Sequence, residues 1–244
     1  MGPQIVSKAV MLVWTNLGAA IRATAVPFAL MAAVPYATLS GIDETGRLPV
    51  GALLLTAILV GVLFAWGAAA WHRYVLLQEE PFIVPVPGFP ALIGYIWAGI
   101  RVGLIAVAVG LAIGIPAGVL MAGLGAALGP GAVWLFALIG FGVSVLVSYA
   151  VLRFSLVLPA AAVGRPMSLS ESWTATSRAR DAVLVTALLG GLLQFVLQSV
   201  GGALSLAGVA GLVLSLLLTW ASAMIGLSIL TALYGVLVEG RPVD

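Results

Sequence analysis

Cysteine is absent from this 244-residue chain, histidine occurs once, and only 7% of the residues are charged. Without thiols there are no disulfides, thiolate metal sites or cysteine nucleophiles. One imidazole cannot build a histidine-rich metal centre. The shortage of charge excludes more than either. Soluble domains carry roughly 25% charged and about 45–50% apolar residues. Here 63% are apolar and the mean hydropathy is +1.24, so no water-facing surface can be assembled. These numbers predict an all-α polytopic membrane protein. The net charge of +2 and pI near 9.3 then report membrane topology, and no nucleic acid is expected as a partner.

A bilayer core about 30 Å thick needs about 20 apolar residues per helix. Six stretches qualify: Ala23–Leu39, Val50–Ala70, Val102–Met121, Ala132–Leu152, Ala182–Ser205 and Val209–Leu233. Pro27, Pro35 and Pro116 fall inside them and predict kinks rather than breaks, since embedded helices find substitute partners for freed backbone groups. Cations mark the cytoplasmic side. Lys8 and Arg22 precede the first span, Arg73 and Arg101 separate the second from the third, and Arg153, Arg165, Arg178 and Arg180 separate the fourth from the fifth. Arg241 follows the sixth. Only Arg47, beside Asp43 and Glu44, falls on the other side, and the turns at Gly123–Gly131 and Ala207–Gly208 are uncharged. Both termini are therefore expected in the cytoplasm. Low lysine beside abundant arginine and alanine suggests a bacterial source, hence the inner membrane.

The amino-terminal stretch is not read as a signal peptide, because Thr15 and Asn16 interrupt its apolar run. Helical spacing puts Val6, Val10, Val13 and Leu17 on one face and Gln4, Lys8, Thr15 and Arg22 on the other, as in an interfacial helix. Pro3 and Val6 also exclude a myristoylation site at Gly2.

A period close to 80 residues runs through the chain. Arg22, Arg101 and Arg180 stand before odd-numbered spans, while Tyr74, Phe154 and Tyr234 close even-numbered ones. The flanks RYVLLQEEP, RFSLVLP and LYGVLVEGRP agree in part. One membrane domain, 1–244, is therefore read as three pseudo-repeated hairpins over about 4–81, 89–160 and 168–242. Each begins with a cytoplasmic-side interfacial helix: Gln4–Ala20, Phe89–Gly99 and Leu169–Ala179. Ser168 followed by Glu171 is a capping-box signature for the last of these.

The segment Arg153 to Arg178, RFSLVLPAAAVGRPMSLSESWTATSR, resembles a pattern found in uncharacterised six-span bacterial membrane proteins related to the membrane domain of glycerophosphodiester phosphodiesterases. Arg153, Leu156 and Pro159 carry the likeness at the end of span four, and Pro166, Ser168, Leu169, Ser172 and Trp173 carry it into the next helix. WHRYVLLQEEP, Trp71 to Pro81, is similar to the equivalent junction. The resemblance implies a membrane location and a six-span fold, and almost no chemistry.

No ionisable residue is expected at mid-depth, which argues against proton-coupled pumping and against metal-dependent transferases. No catalytic residue, cofactor or metal is expected. His72, beside Trp71, Arg73 and Tyr74, reads as an interfacial anchor before it reads as an axial ligand. Ser144 is set aside as a nucleophile because His72 belongs to a different depth. Gln194 and Gln198 stand one turn apart on the fifth span, either as inter-helix hydrogen-bonding groups or as a polar stripe along a path. Gly110, Gly114 and Gly118 repeat every four residues and predict close approach of another helix, internal or from a partner. Arg73, Arg153 and Arg178 are candidates for contact with anionic lipid headgroups, with topology signalling as the simpler reading.

Three functions are compatible with this pattern. The first is a non-enzymatic scaffold or accessory subunit in contact with membrane lipids and other integral membrane proteins. The second is a lipid or amphiphile permease, and a remote third is a pigment- or haem-associated protein using His72.

Overall fold

The structure, a computed structural model, describes residues 1–39, 49–80 and 88–243. The charged turn containing Asp43, Glu44 and Arg47 lies outside the described residues. Among the described residues all regular structure is helical: α1 (Gly2–Thr15), α2 (Leu17–Leu39), α3 (Val50–Leu77), α4 (Phe89–Leu128), α5 (Val133–Phe154), α6 (Val157–Ala162), α7 (Leu169–Ser177), α8 (Arg180–Ser205) and α9 (Gly208–Leu237). A 3-10 turn at Gly129–Ala132 joins α4 to α5. Six of these helices, α2, α3, α4, α5, α8 and α9, are long and apolar enough to cross a membrane. The protein is an all-α, multi-pass membrane protein.

The spans fall where the apolar runs place them, and Pro27, Pro35 and Pro116 sit inside helices without ending them. One expected boundary is absent. Phe89–Gly99 is not a separate surface helix but the first turns of α4, which runs for 40 residues. At 1.5 Å per residue it is about 60 Å long, twice the hydrocarbon thickness. Arg101 was the reason to divide it. An arginine marks a water boundary without breaking a helix, and the sequence Ala98-Gly99-Ile100-Arg101-Val102 holds neither a proline nor a cap.

Three antiparallel hairpins, α2/α3, α4/α5 and α8/α9, assemble so that α3, α4, α5, α8 and α9 are each packed on the next, with α9 closing back on α3. Helix α2 lies along α3, and Trp220 Nε1–H donates to Thr24 Oγ1 (2.8 Å) to tie it to α9. The short helices gather at one end. There α1 packs on α8 and α9, α7 on α5, and α6 on α3, α4 and α9.

Helix α1 does not turn the expected face. Its buried residues are Gly2, Ile5, Ala9 and Val13, while Leu17 is exposed. The helix packs against protein rather than floating on lipid, so small residues face inward. A Cβ at Gly2 would lie 2.7 Å from Val185 Cβ, too close for any other residue without a shift. Helix α7 is capped as its sequence predicts. Ser168 Oγ accepts from the Glu171 amide (3.2 Å) and Glu171 Oε2 accepts from the Ser168 amide (2.6 Å). The Ser168 amide and hydroxyl hold the Glu171 carboxyl below its usual range.

Burial is unequal along the bundle. Three apolar clusters, around Ile5, Leu156 and Leu233, around Trp71, Ala68 and Met224, and around Ala98, Val157 and Ala161, all lie toward the end that carries Arg73, Arg153 and Arg241. At the opposite end the flanks are bare: Val50, Leu54, Val119, Trp134, Leu206 and Val209 are exposed.

Candidate functional site

Where the helices separate, α5, α8 and α9 border a partly open cavity of about 900 Å³, with Phe64 of α3 and Tyr95 of α4 completing its wall. This lies within the roughly 300–1,000 Å³ range of small-molecule sites. Its lining is mostly apolar and contains no Asp, Glu, Lys, Arg or His. The polar groups come as three ladders. Helix α8 presents Thr186, Gly190, Gln194 and Gln198, each four residues after the last, so they share one face. Helix α5 presents Ser144 and Ser148, and α9 presents Thr219 and Ser222.

The register of α5 against α8 places these groups. Phe141 meets Phe195 edge to face with ring centroids 6.1 Å apart, and Val145 Cγ2 lies beside Gly191. In an antiparallel pair this brings Ser144 to within about one turn of Gln194 and sets Ser148 level with the Thr186–Gly190 turn. Glycine widens the space. A Cβ at Gly190 would come 3.1 Å from Ile229 Cδ1, so the end of the Ile229 side chain would have to give by a few tenths of an ångström.

Hydrogen bonding divides the polar residues into two groups. Gln194 Nε2 donates to the Ser222 carbonyl (2.8 Å), and the Ser222 hydroxyl donates to Gln194 Oε1, which clips α8 to α9. Thr186 and Thr219 donate to the carbonyls of Ala182 and Ser215 one turn back. Ser144, Ser148 and Gln198 have no partner among the described residues.

Below the cavity, toward the arginine-bearing end, lies His72. It is fully buried, which corrects the reading of an interfacial anchor. Its Nδ1 is 2.7 Å from Thr231 Oγ1 and its Nε2 is 3.3 Å from the Tyr95 hydroxyl. Thr231 donates its own proton to the Leu227 carbonyl (2.8 Å), so Nδ1–H donates to Thr231 and Nε2 accepts from Tyr95. Both ring nitrogens are thus engaged, and an axial bond to haem would have to displace one of them. Next to it, Trp71 Nε1–H donates to Ser228 Oγ (3.0 Å). The anchoring pattern at Trp71–Tyr74 could not disclose this, because the partners on α4 and α9 are distant in sequence.

Arg73 and Arg153 serve packing. Arg73 forms a two-pronged ion pair with Glu79 (2.7 and 2.5 Å) and donates to the Ala162 carbonyl (2.8 Å), which fixes α6 against α3. Arg153 is 5% exposed, so it does not reach for headgroups. It donates to Thr176 (2.9 Å), Tyr149 (2.9 Å) and Ser177 (2.5 Å), and its guanidinium lies 3.8 Å from the centre of the Trp173 ring. Arg178 is exposed and joins none of these contacts.

Gly110, Gly114 and Gly118 have no helix against them. A Cβ at any of the three would meet nothing within 4 Å, so the expected internal packing face is absent. The reason is the splay of α4, whose buried residues are Tyr95, Ala98 and Val102.

The structure therefore brings Gln194 and Gln198 to one cavity and leaves Arg73, Arg153, Arg178 and the three glycines elsewhere. Sequence reasoning did not place Tyr95, Ser148, Thr186, Thr219 or Ser222 there. Their three- and four-residue spacings were visible, but nothing in one sequence told which helix faces converge. Among the described residues no three His, Asp or Glu side chains gather into a metal site. No family model matches the chain, and no curated protein or solved structure matches it.

Proposed function

We propose that this protein is a non-enzymatic amphiphile-handling protein of a bacterial inner membrane, which takes a lipid-like molecule into the cavity between α5, α8 and α9 and holds or translocates it. The observation that carries this reading is the cavity itself: about 900 Å³, apolar in most of its lining, with polar ladders from three helices turned into it. The apolar lining of an open cavity needs hydrocarbon against it, and hydroxyls and amides facing a bilayer need partners. An amphiphile meets both requirements. The cation-rich end faces the cytoplasm in this reading, with both termini there, because arginine and lysine are retained on that side.

The test uses the purified chain in liposomes containing a fluorescent acyl-chain lipid probe, with dithionite accessibility as the readout of transbilayer movement and native mass spectrometry as the readout of retention. The wild-type chain should bind or move the probe. Ser144→Phe, which projects a ring into the cavity without touching the buried clusters, should reduce both to below a tenth. Unchanged activity in that variant sinks the reading.

A second reading, a scaffold or accessory subunit, is favoured by one feature only, the open glycine face at Gly110, Gly114 and Gly118. Replacing all three by leucine should release a stoichiometric partner protein on native purification. Recovery of the same lone protomer before and after the change counts against it.

A further inference from the structure

Resting on the cavity reading above, we infer that the ligand carries an uncharged, hydroxyl-bearing headgroup, held by Ser144 and Ser148 with its acyl part along the apolar wall toward Gln198. The selection arises from which polar groups are already spent. Gln194 and Ser222 satisfy one another across α8 and α9, and Thr186 and Thr219 are returned to their own helices. Ser144, Ser148 and Gln198 keep both donors and acceptors free among the described residues, and they face the same cavity. A polar group without a partner in an apolar medium costs free energy, so Ser144 and Ser148, one turn apart, define where the headgroup sits, while Gln198 stands about 9 Å beyond Ser144 along the bundle.

Charge is excluded by the same lining. The cavity offers no ion partner of either sign, and burying an unpaired ionised group costs far more than burying a hydroxyl. The nearby cations do not alter this. Arg153 is turned toward α7, and Arg73 is paired with Glu79. The serines narrow the class further. Ser144 and Ser148 can each donate and accept, and a ligand hydroxyl answers both roles where a carbonyl answers one. Mono- and diacylglycerols, glycolipids and long-chain alcohols share this chemistry.

The experiment is equilibrium binding to the full chain in detergent, with three probes of equal chain length: 1-oleoylglycerol, oleoyl phosphate and oleylamine. The neutral probe should bind at least about tenfold more tightly than either charged one, the equivalent of one to two neutral hydrogen bonds. Dioleoylglycerol, run as a fourth probe, separates a bilayer lipid from a free monoglyceride by which of the two binds more tightly. Ser144→Ala combined with Ser148→Ala should weaken oleoylglycerol binding about tenfold, and Ser144→Thr with Ser148→Thr should restore it. Equal binding of charged and neutral probes overturns the headgroup inference while leaving the cavity reading in place. Binding of the neutral probe that is indifferent to both serines overturns it as well. Failure to bind any of the probes overturns the cavity reading itself. Should the serine variants not fold, the preference among probes shown by the unmodified chain decides the matter.

Discussion

Helix α3 changes character within a single turn. From Val50 to Phe64 no residue is buried, whereas from Ala65 to Leu76 nine of the twelve are. Helix α9 repeats the contrast: Gly211 is its one buried residue before Ser222, and burial is dense from there to Gly235. The arginine-bearing end is a protein core, closed by α1, α6 and α7 and pinned by Trp71–Ser228, His72–Thr231 and Arg153–Thr176. At the opposite end the helices stay paired within their hairpins, as Thr38–Thr56 and Gly201–Ser215 mark, and their outward apolar side chains are exposed. Both ends are rich in apolar residues, so apolarity does not distinguish them. What differs is use: at the arginine-bearing end small residues are packed and buried side chains bond between distant helices, whereas Gly110, Gly114 and Gly118 face open space.

The sharpest way to break this comparison is a matched truncation at each end. Trp71→Ala should cost about 3–5 kcal/mol in reversible unfolding from detergent, because Trp71 is fully buried. Leu54→Ala, at an exposed position, should stay within about 0.5 kcal/mol. Equal losses would mean that the ends are not energetically distinct. Next in size is Arg153→Met, which removes charge-assisted bonds to Thr176, Tyr149 and Ser177 and should cost about 2–3 kcal/mol. It should also raise amide exchange across Leu169–Ser177, whereas exchange in α3 stays as it was.

His72→Phe should cost about 1–3 kcal/mol by leaving the Tyr95 hydroxyl without its acceptor. Tyr95→Phe in that background should recover part of the loss, and a double-mutant cycle measures the coupling. Strictly additive effects would remove the hydrogen bond from the account of the arginine-bearing end. Ser168→Ala should loosen α7 by about 1 kcal/mol, read as local exchange protection. Smallest is a pH effect confined to the same helix. The folded carboxyl of Glu171 titrates below its unfolded value, so its contribution is complete above the ordinary carboxylate range. That contribution disappears as pH falls through the lowered value. A carbon-detected titration of Glu171 should show the depression, and Ser168→Ala should move it back toward normal.

Most of the span boundaries and the capping box at Ser168 were legible because each depends on neighbours within a few residues. Apolar run length decides whether a segment crosses a bilayer, and a serine three residues before a glutamate decides how a helix starts. Gln194 and Gln198 were legible as a stripe but not as a cavity wall. His72 was misread for the opposite reason: its local company of Trp71, Arg73 and Tyr74 is that of an interface, and only Tyr95 and Thr231 make it a core residue. The glycines of α4 had the spacing of a packing face, yet a spacing states what is permitted and not what is present.

By itself, the sequence determined that this chain crosses a membrane six times as helices, since hydrocarbon accepts a backbone only when each segment satisfies its own hydrogen bonds. Only the tertiary structure decided that the hairpins close at the arginine-bearing end and part at the other, leaving three unpartnered polar side chains around one cavity. That outcome depends on which faces meet. In lipid, meeting is governed by a few bonds and close contacts between residues far apart in the chain, about which local pattern is silent.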